Sequence, residues 1–344
     1  MGNDCRHADI SGGNQSTFNL VGDKKDRISE VCSVITRKPP NDCEGYYPPL
    51  IPPCLTADEK VDFFLPYQDK PYHTDHLLAC SLTRCIDNIR DRDRWIWVQG
   101  QSFDVDPSKP VVILCHGFMS WRNQMLVSFL AAHLAHKLRC HTLRFDFTGN
   151  GHSTGTWHYG NYDGEARDLD YVIKFVQQSM KCRVCCLLGH SKGSASVLRH
   201  AWEQEKGPDI DRIPCFVNLS GGFSVPHEYT VRGRFTKDQE SALDSNGKFL
   251  LETRGKRKFE VRKEDIEERI HLDSSLVRHI ANSHVLTIHG DADNIVHVSS
   301  AYKFSRAIQN HELTIVEGAD HNFNGLRHMD VLVSTISNFI SRHL

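Results

Sequence analysis

Three separated segments of the chain carry residue types that could together perform nucleophilic chemistry. Residues 189–193 read GHSKG, with Ser191 at their centre; a later turn bears the aspartates Asp291 and Asp293, and a loop further on carries His321. A serine hydroxyl is nearly inert at neutral pH, so it needs a histidine base within hydrogen-bond reach and an acid that orients this base. The set indicates acyl transfer by a serine, a histidine and an aspartate, with either aspartate as the acid.

The sequence on both sides of Ser191 predicts a sharp turn from a strand into a helix. The apolar run 184–188 precedes the motif, and a helical pattern of apolar residues follows it. Gly189 and Gly193 leave room for the strained backbone that such a turn requires. The five-residue pattern alone arises by chance, but a strand before it and a helix after it are the context in which a serine becomes an exposed nucleophile. We therefore predict Ser191 as the nucleophile and His321, in a loop just past a later strand, as its base.

Attack on a carbonyl creates a negatively charged oxygen, which backbone amides commonly stabilise. The amide of Lys192 directly follows the nucleophile, and a second amide is predicted at Phe118, where the apolar run 111–115 ends and the chain turns toward a helix. Correctly placed donors of this kind each stabilise the transition state by about 3–4 kcal/mol. The Lys192 side chain also suggests a serine–lysine mechanism, but it leads into the following helix, and His321 already supplies a base.

From about residue 110 onward, short apolar runs alternate with longer amphipathic segments. This alternation is typical of an α/β fold with a mostly parallel twisted sheet that is covered by helices on both faces. Strands are predicted at 111–115, 141–147, 184–188, 215–219, 285–289 and 313–316, and helices near 123–138, 163–180, 192–205, 299–309 and 331–343. Upstream, in residues 75–105, apolar and polar residues alternate over short stretches, which is typical of antiparallel strands at a sheet edge.

Two segments depart from this alternation of predicted strands and helices. Residues 1–74 are polar and contain proline pairs, so we predict a partly disordered N-terminal arm before a domain at 75–344. Residues 222–283 are too long for an ordinary connection between strands and carry two charged stretches. We interpret them as a small inserted lid that ends in an amphipathic helix with Ile266 and Ile270 on one stripe.

Five motifs together resemble the α/β-hydrolase superfamily. They are HGF at 116–118, RFDFTGNGHS at 144–153, GHSKG at 189–193, HGDAD at 289–293 and GADH at 318–321. The chain is most similar to the cinnamoyl (feruloyl) esterase-like and serine aminopeptidase-type branch, over about residues 105–344. The resemblance implies the α/β-hydrolase fold for the domain 75–344, the acid role for Asp293, the second aspartate of its turn, and a structural role for Asp146. The chain departs from the family at Lys192, where Gln or Met is frequent, and in the arm, which has no counterpart.

The charge of the chain is nearly balanced, with 41 Lys and Arg against 43 Asp and Glu. Such a surface creates no field that would gather nucleic acid or an anionic membrane, which favours a small, near-neutral substrate. The motifs above imply that this partner is an ester. The 12 cysteines are scattered, and several lie in apolar runs, so we expect reduced thiols in the cytoplasm. Cys182 and Cys185 have CxxC spacing without a second pair, so the sequence predicts no metal site, and it predicts no cofactor.

The first residues raise the question of lipid attachment. Gly2 could accept a myristoyl group and Cys5 a second acyl chain, but the myristoylation pattern requires Ser or Thr where Arg6 stands. No apolar run serves as a signal peptide or approaches the length of a membrane span. We therefore expect a soluble protein without stable membrane insertion.

These observations predict a serine hydrolase that cleaves a carboxylic ester with a small, medium or aromatic acyl group. The same triad serves thioesters and N-terminal peptide bonds, so a thioesterase and a serine aminopeptidase stay open as alternatives. The lid and the arm motivate a third alternative, a binding protein that kept the hydrolase fold without turnover. The sequence indicates no oligomeric state.

Overall fold

Eight strands join into one sheet in the computed structural model, which describes residues 60–66, 76–85, 95–98, 101–208, 212–226, 235–252 and 258–344. The strands are β1 (Lys60–Pro66), β2 (Leu77–Thr83), β3 (Trp95–Val98), β4 (Gln101–Asp104), β5 (Val111–Cys115), β6 (His141–Phe145), β7 (Val184–His190), β8 (Cys215–Leu219), β9 (Lys248–Glu252), β10 (Lys258–Arg262), β11 (His284–Gly290) and β12 (His311–Val316). The helices are α1 (Met125–Leu138), α2 (Tyr162–Lys174), α3 (Gly193–Glu203), α4 (Lys237–Asn246), α5 (Lys263–Ile270), α6 (Ser299–Ala307) and α7 (Leu326–His343). A π-helical turn at Phe175–Ser179 extends α2, and short 3-10 segments lie at Gln204–Lys206 and Ser274–His279.

The large sheet has the strand order β1-β2-β6-β5-β7-β8-β11-β12. Strand β2 is antiparallel to both of its neighbours, and the strands from β6 to β12 in this order pair in parallel. The central strands β5, β6, β7 and β8 are buried along their whole length, as expected for strands covered on both faces. Helices α1 and α7 pack into one apolar core, and α2, α3 and α6 pack into the other. The predicted α/β architecture, a mostly parallel sheet between two helical layers, is confirmed.

Strand β1 lies within the segment that the sequence predicted as an arm, so the sheet begins earlier than expected. Phe63, Phe64 and Leu65 are buried one after another along the strand, and Phe63 and Leu65 enter the core beside β2. This run of buried apolar residues favours a strand despite the proline-rich sequence before it, because phenylalanine has a high β-propensity and strands covered on both faces are continuous apolar runs. The rest of the predicted arm, residues 1–59 and 67–74, lies outside the described residues.

Between β8 and β11 the chain inserts α4, the antiparallel pair β9–β10 and α5, within the segment predicted as a lid. Helix α4 begins with a capping box of Thr236 and Gln239 and ends at Gly247, whose φ of +72° suits glycine. The inserted elements share a small apolar core with the main domain, formed by Tyr159, Leu243, Phe249, Val261 and Ile266. The inserted segment is therefore packed against the loop that carries Tyr159.

A buried ion pair between Arg122 and Asp146 ties the loops at the ends of β5 and β6 together. Its side chains are 2% and 0% exposed. The carboxylate of Asp146 also accepts a hydrogen bond from the amide of His152 at 2.9 Å, and Nε of Arg122 donates to the hydroxyl of Ser81 at 3.0 Å. Gly151 has a φ of +51°, and a Cβ there would lie 2.3 Å from Oδ2 of Asp146. These contacts agree with the structural role expected of Asp146.

In the part of the chain that the structure describes, no helix is both long enough and apolar enough to cross a membrane. Gly2 and Cys5, the candidate sites of lipid attachment, lie outside the described residues.

Asp146→Ala should lower the free energy of unfolding by about 3–5 kcal/mol, because it leaves the buried Arg122 guanidinium without its partner. Urea denaturation followed by circular dichroism measures the loss. Arg342→Ala is the matched control, since it removes an ion pair with Glu312 whose side chains are 53% and 42% exposed. We expect this control to lose less than about 1 kcal/mol. Equal losses in the two variants would contradict the structural role of Asp146.

Candidate active site

The turn between β7 and α3 holds Ser191 in a backbone conformation that few residues adopt. Its φ is +53°, in the left-handed region that residues with a Cβ normally avoid. Gly193 makes the turn possible, because a Cβ at this position would lie 2.4 Å from the carbonyl oxygen of His116. A Cβ at Gly189 would lie 2.6 Å from the carbonyl carbon of Gly193. The two glycines thus allow a turn tight enough to hold the serine at the carboxyl end of the strand.

Ser191, His321 and Asp293 lie in one hydrogen-bonded line. Nε2 of His321 is 2.9 Å from Oγ of Ser191, and Nδ1 of His321 is 2.7 Å from Oδ2 of Asp293. Because a carboxylate oxygen only accepts, Nδ1 carries a proton and Nε2 is left to accept from the serine hydroxyl. The three residues follow β7, β12 and β11, parallel strands whose carboxyl ends meet at one edge of the sheet. The structure therefore brings together the residues that the sequence singled out, and their catalytic roles stay predictions.

The two aspartates in the turn after β11 have different partners. Asp293 is 6% exposed and contacts His321. Asp291 is exposed and accepts a hydrogen bond from the amide of Gly318 at 2.7 Å, which joins the turns after β11 and β12. The geometry therefore favours Asp293 over Asp291 as the orienting acid.

Hydrogen bonds keep Asp293 ionised despite its burial. Burial alone would raise the pKa of its carboxyl group, but hydrogen bonds from His289, His321 and the amides of Val296 and Ile295 outweigh this effect. Together they hold the pKa of Asp293 well below its usual range. The two amides donate to Oδ1 at 2.9 and 2.8 Å. An ionised Asp293 can stabilise the positive charge that His321 gains when it acts as a base.

His190, directly before the serine, supports the loop that carries His321. Its Nε2 donates to the carbonyl oxygen of His321 at 2.9 Å. Burial lowers the pKa of His190 to about 4, and the nearby His321 ring contributes to the shift. His190 is therefore neutral at neutral pH and acts as a hydrogen-bond donor within the fold rather than as a second base.

The two amides predicted to stabilise an oxyanion flank Ser191. Lys192 continues the turn with φ of −55° and ψ of −37°, and it precedes the first residue of α3. The loop that carries Phe118 passes close to the serine, because a Cβ at Gly117 would lie 3.1 Å from Cβ of Ser191. Among the described residues, neither amide has a hydrogen-bond acceptor. Both N–H groups are thus able to bind a substrate oxygen, a role that stays a prediction.

A cavity of about 560 Å³ opens beside Ser191. Five Phe, Tyr and Trp side chains line it: Phe118, Tyr159, Tyr162, Trp202 and Phe304. The inserted segment contributes residues between Glu268 and Val277. Because the main domain and the insertion both line the cavity, its shape depends on where the insertion packs.

The side chain of Lys192 is engaged by Glu165 of α2. Nζ of Lys192 is 2.6 Å from Oε1 of Glu165, and these side chains are only 5% and 7% exposed. Nζ also lies 4.8 Å from the centre of the Tyr162 ring, close enough for a cation–π attraction. Burial raises the pKa of Glu165, and the ammonium group of Lys192 opposes this shift. The sequence did not single out Glu165, although it lies on the buried face of a predicted helix.

Helix α5 of the insertion is anchored at the start of α2. The residue before α2 is Asn161, whose side chain makes no capping bond. The carboxylate of Glu268 takes that role, accepting from the amide of Asn161 and, at 3.0 Å, from the amide of Asp163. A carboxylate suits this position because the amides of the first helical turn lack partners and the helix dipole is positive there. Through α2, which also carries Glu165, the insertion is connected to Lys192 and the turn at the serine.

The described ranges contain no group of three or more His, Cys, Asp or Glu side chains that could hold a metal ion. Cys182 and Cys185, the CxxC pair, are buried free thiols. Burial raises the pKa of each thiol to about 12. Such thiols remain protonated at neutral pH and are poor nucleophiles and ligands.

Comparison with known proteins shows to which family the chain belongs. The model of the alpha/beta hydrolase family matches residues 112–335, which is more than half of the chain. The chain belongs to the alpha/beta hydrolase family. This match confirms both the α/β-hydrolase fold and the resemblance that the motifs indicated.

Solved structures of alpha/beta hydrolases share the fold at low sequence identity. A hydrolase from Agrobacterium vitis S4 is 18% identical with a TM-score of 0.61, over 82% of this chain and 98% of its own. Est1E from Butyrivibrio proteoclasticus, solved with ferulic acid bound, is 17% identical with a TM-score of 0.58, over 78% of this chain and 96% of its own. Mouse alpha/beta hydrolase domain-containing protein 10 is 16% identical with a TM-score of 0.58, over 82% of this chain and 99% of its own. A search of curated protein sequences gives no match.

Glu165→Gln should lower the free energy of unfolding by about 3–5 kcal/mol, because it leaves the buried ammonium of Lys192 without its counter-charge. Adding Lys192→Met should recover much of this loss, since the double variant no longer buries an unpaired charge. Guanidinium denaturation of the wild type, both single variants and the double variant measures the coupling. If the losses of the two single variants simply add in the double variant, the two side chains do not act as a pair.

Proposed function

We propose that this alpha/beta hydrolase cleaves a carboxylic ester with a small, medium or aromatic acyl group through a covalent acyl-enzyme on Ser191. The observation that carries the proposal is the hydrogen-bonded line from Asp293 through His321 to Ser191 beside a cavity. A base within hydrogen-bond reach activates the serine hydroxyl, and the acid holds the base in the required tautomer. Membership of the family supports the reaction class, while the residues of the site support the mechanism.

In the first half of the reaction, Oγ of Ser191 bonds to the carbonyl carbon of the ester while Nε2 of His321 takes the hydroxyl proton. The carbonyl oxygen gains the electron pair of its double bond and accepts hydrogen bonds from the amides of Phe118 and Lys192. The tetrahedral intermediate then collapses, and the bond from carbon to the alcohol oxygen breaks. His321 gives its proton to the leaving alcohol, and the acyl group stays on Ser191.

In the second half, water takes the place of the alcohol. His321 accepts a proton from water as the water oxygen bonds to the acyl carbon, and the bond from that carbon to Oγ of Ser191 then breaks. The proton returns to the serine and the free acid leaves. Asp293 stays ionised throughout and stabilises the imidazolium form of His321 in both halves.

The walls of the cavity suit an aromatic or otherwise largely apolar acyl group. Aromatic side chains provide large apolar surfaces that pack against a planar ring edge to face or offset. Charged residues also line the cavity, and several of them are paired within the protein, as Arg199 is with Glu203 at 2.9 Å and Lys192 is with Glu165 at 2.6 Å. These paired groups do not require a charged substrate. Because Est1E, which shares the fold, binds ferulic acid, esters of aromatic acids are the first compounds to test.

The same residues could cleave a thioester or an N-terminal peptide bond, so the nature of the leaving group needs a direct comparison. One aromatic acyl group presented as an oxygen ester, a thioester and an amide, with an unblocked aminoacyl amide added, forms a suitable series. The proposal requires the highest kcat/KM on the oxygen ester. A preference for the aminoacyl amide would assign a serine aminopeptidase, and no turnover of any member would favour a binding protein.

Ser191→Ala and His321→Ala should each reduce kcat on the preferred ester by at least about 10⁴-fold, because residues of such a triad act as a unit. Asp293→Asn should reduce it by about 10⁴-fold, since an amide favours the wrong tautomer of the histidine. Steady-state kinetics on folded variants measure these effects.

Asp291→Asn is the matched control for the acid, because it lies in the same turn but bonds to Gly318. We expect it to retain most of the wild-type activity. A greater loss in this control than in Asp293→Asn would transfer the acid role to Asp291, and unchanged turnover in Ser191→Ala would end the proposal.

A further inference from the structure

A second histidine contacts the acid of the triad. His289 lies near the end of β11, four residues before Asp293, and both side chains are fully buried. Nε2 of His289 is 2.8 Å from the carbonyl oxygen of Val296 and 3.2 Å from Oδ2 of Asp293. His289 is not among the residues that line the cavity, so it lies behind Asp293 as seen from a substrate.

These distances determine which ring nitrogen of His289 carries a proton. A carbonyl oxygen and an ionised carboxylate oxygen both accept, so Nε2 must be the donor to Val296 and Asp293. Nδ1 is buried and has no hydrogen-bond partner among the described residues. A proton on Nδ1 would therefore be buried without an acceptor, which costs free energy. The neutral ring protonated at Nε2 makes both contacts of Nε2 and avoids a buried proton on Nδ1, which remains an acceptor without a partner among the described residues.

Four donors surround the carboxylate of Asp293. The amides of Ile295 and Val296 donate to Oδ1, and the imidazoles of His321 and His289 approach Oδ2 at 2.7 and 3.2 Å. The carboxylate cannot rotate without breaking bonds at both oxygens. The contact from His289 fixes the same oxygen that holds His321, so it controls the alignment of the base with Ser191.

We propose that His289 is a positioning residue for the hydrolysis proposed above: its Nε2–H fixes Oδ2 of Asp293 and thereby sets the orientation and the basicity of His321. The inference rests on the proposed triad and adds a fourth residue to it. Without the donor, the carboxylate of Asp293 turns more freely, and fewer molecules hold His321 aligned with the serine. The charge on Asp293 is also less compensated, so it holds a proton on His321 more strongly.

The change in the basicity of His321 has a defined direction. The acid limb of the profile of kcat/KM against pH reports protonation of the base in the free enzyme. Loss of the donor should move this limb to higher pH. KM should stay unchanged, because His289 does not line the cavity.

Other titratable groups near His321 stay constant across the test. The His190 ring lies 5.1 Å from the His321 ring, and burial keeps its pKa at about 4, so it stays neutral over the relevant pH range. Asp320, beside His321 in sequence, accepts hydrogen bonds from the Asn322 and Asn324 amides and from the Asn324 side chain; these outweigh its burial and lower its pKa. Asp293 is retained in every variant. A shift of the acid limb therefore reports the change at His289.

Three substitutions distinguish the effect of the Nε2–H donor of His289 from the effect of the volume that its ring fills. His289→Gln places an amide N–H near the position of Nε2, whereas His289→Asn carries the same amide on a shorter stem that cannot reach Oδ2. His289→Leu fills the space without a donor. In the Asn and Leu variants we expect kcat to fall about ten- to a hundredfold, the range for a lost hydrogen bond to a charged group. In the Gln variant kcat and the acid limb should stay close to those of the wild type.

The outcomes distinguish this inference from the function on which it rests. Folded Asn and Leu variants with wild-type kcat and an unmoved acid limb would overturn the role of His289. The same holds if the Gln variant loses as much activity as the other two while the limb stays in place, because packing alone then explains the loss. If instead Ser191→Ala retains turnover, the proposed triad itself fails, whatever the variants at 289 show.

A measurement on the wild-type protein tests the inference without relying on the folding of variants. Nitrogen-15 NMR of histidine-labelled protein distinguishes the two neutral tautomers of each imidazole, and His289→Gln identifies the signals of His289. We expect a neutral ring protonated at Nε2. A ring protonated at Nδ1 alone could not donate to Asp293, and it would overturn the proposal.

Discussion

One hydrogen bond, between Oγ of Ser191 and Nε2 of His321, joins residues that are 130 positions apart in the chain. It can form only because β7, β8, β11 and β12 lie side by side and point the same way. The turns after β7 and β12 then emerge at one edge of the sheet, where open α/β sheets place their ligands. The buried apolar strands fix these positions, and the loops supply the reactive groups.

Around this bond the molecule keeps several features that are unfavourable in isolation. Ser191 has a strained backbone, Asp293 is a buried charge, and Lys192 with Glu165 forms a buried ion pair. Each of these features has a local compensation. The amide of Ser191 donates to the carbonyl oxygen of Leu219 at 2.8 Å, and the carboxylate of Asp293 accepts several hydrogen bonds. The charged groups of Lys192 and Glu165 lie close enough to neutralise each other. Strain and buried charge persist only where the surrounding structure holds them in place.

The centre of the sheet and the three residues at its strand ends could be predicted from the sequence. Strands buried on both faces are nearly continuous apolar runs, and polar residues directly after such runs stand out. Strand β1 was missed because only part of it is buried and proline-rich sequence precedes it. Glu165 and the contact of His289 with Asp293 were missed for another reason, because contacts of this kind depend on how helices pack and turns bend. In sequence Glu165 looks like an ordinary member of a helix, and the motif that begins at His289 does not indicate what this side chain contacts.

Covalent labelling by a fluorophosphonate tests the central claim most directly, because the reaction requires an activated serine and forms a stable bond to its oxygen. We expect mass spectrometry of digested wild-type protein to find the adduct on Ser191. His321→Ala, folded to the same extent, should be labelled at least about a hundredfold more slowly, since the hydroxyl has lost its base. An adduct on a different residue, or labelling of Ser191 at the same rate without the imidazole, would contradict the account.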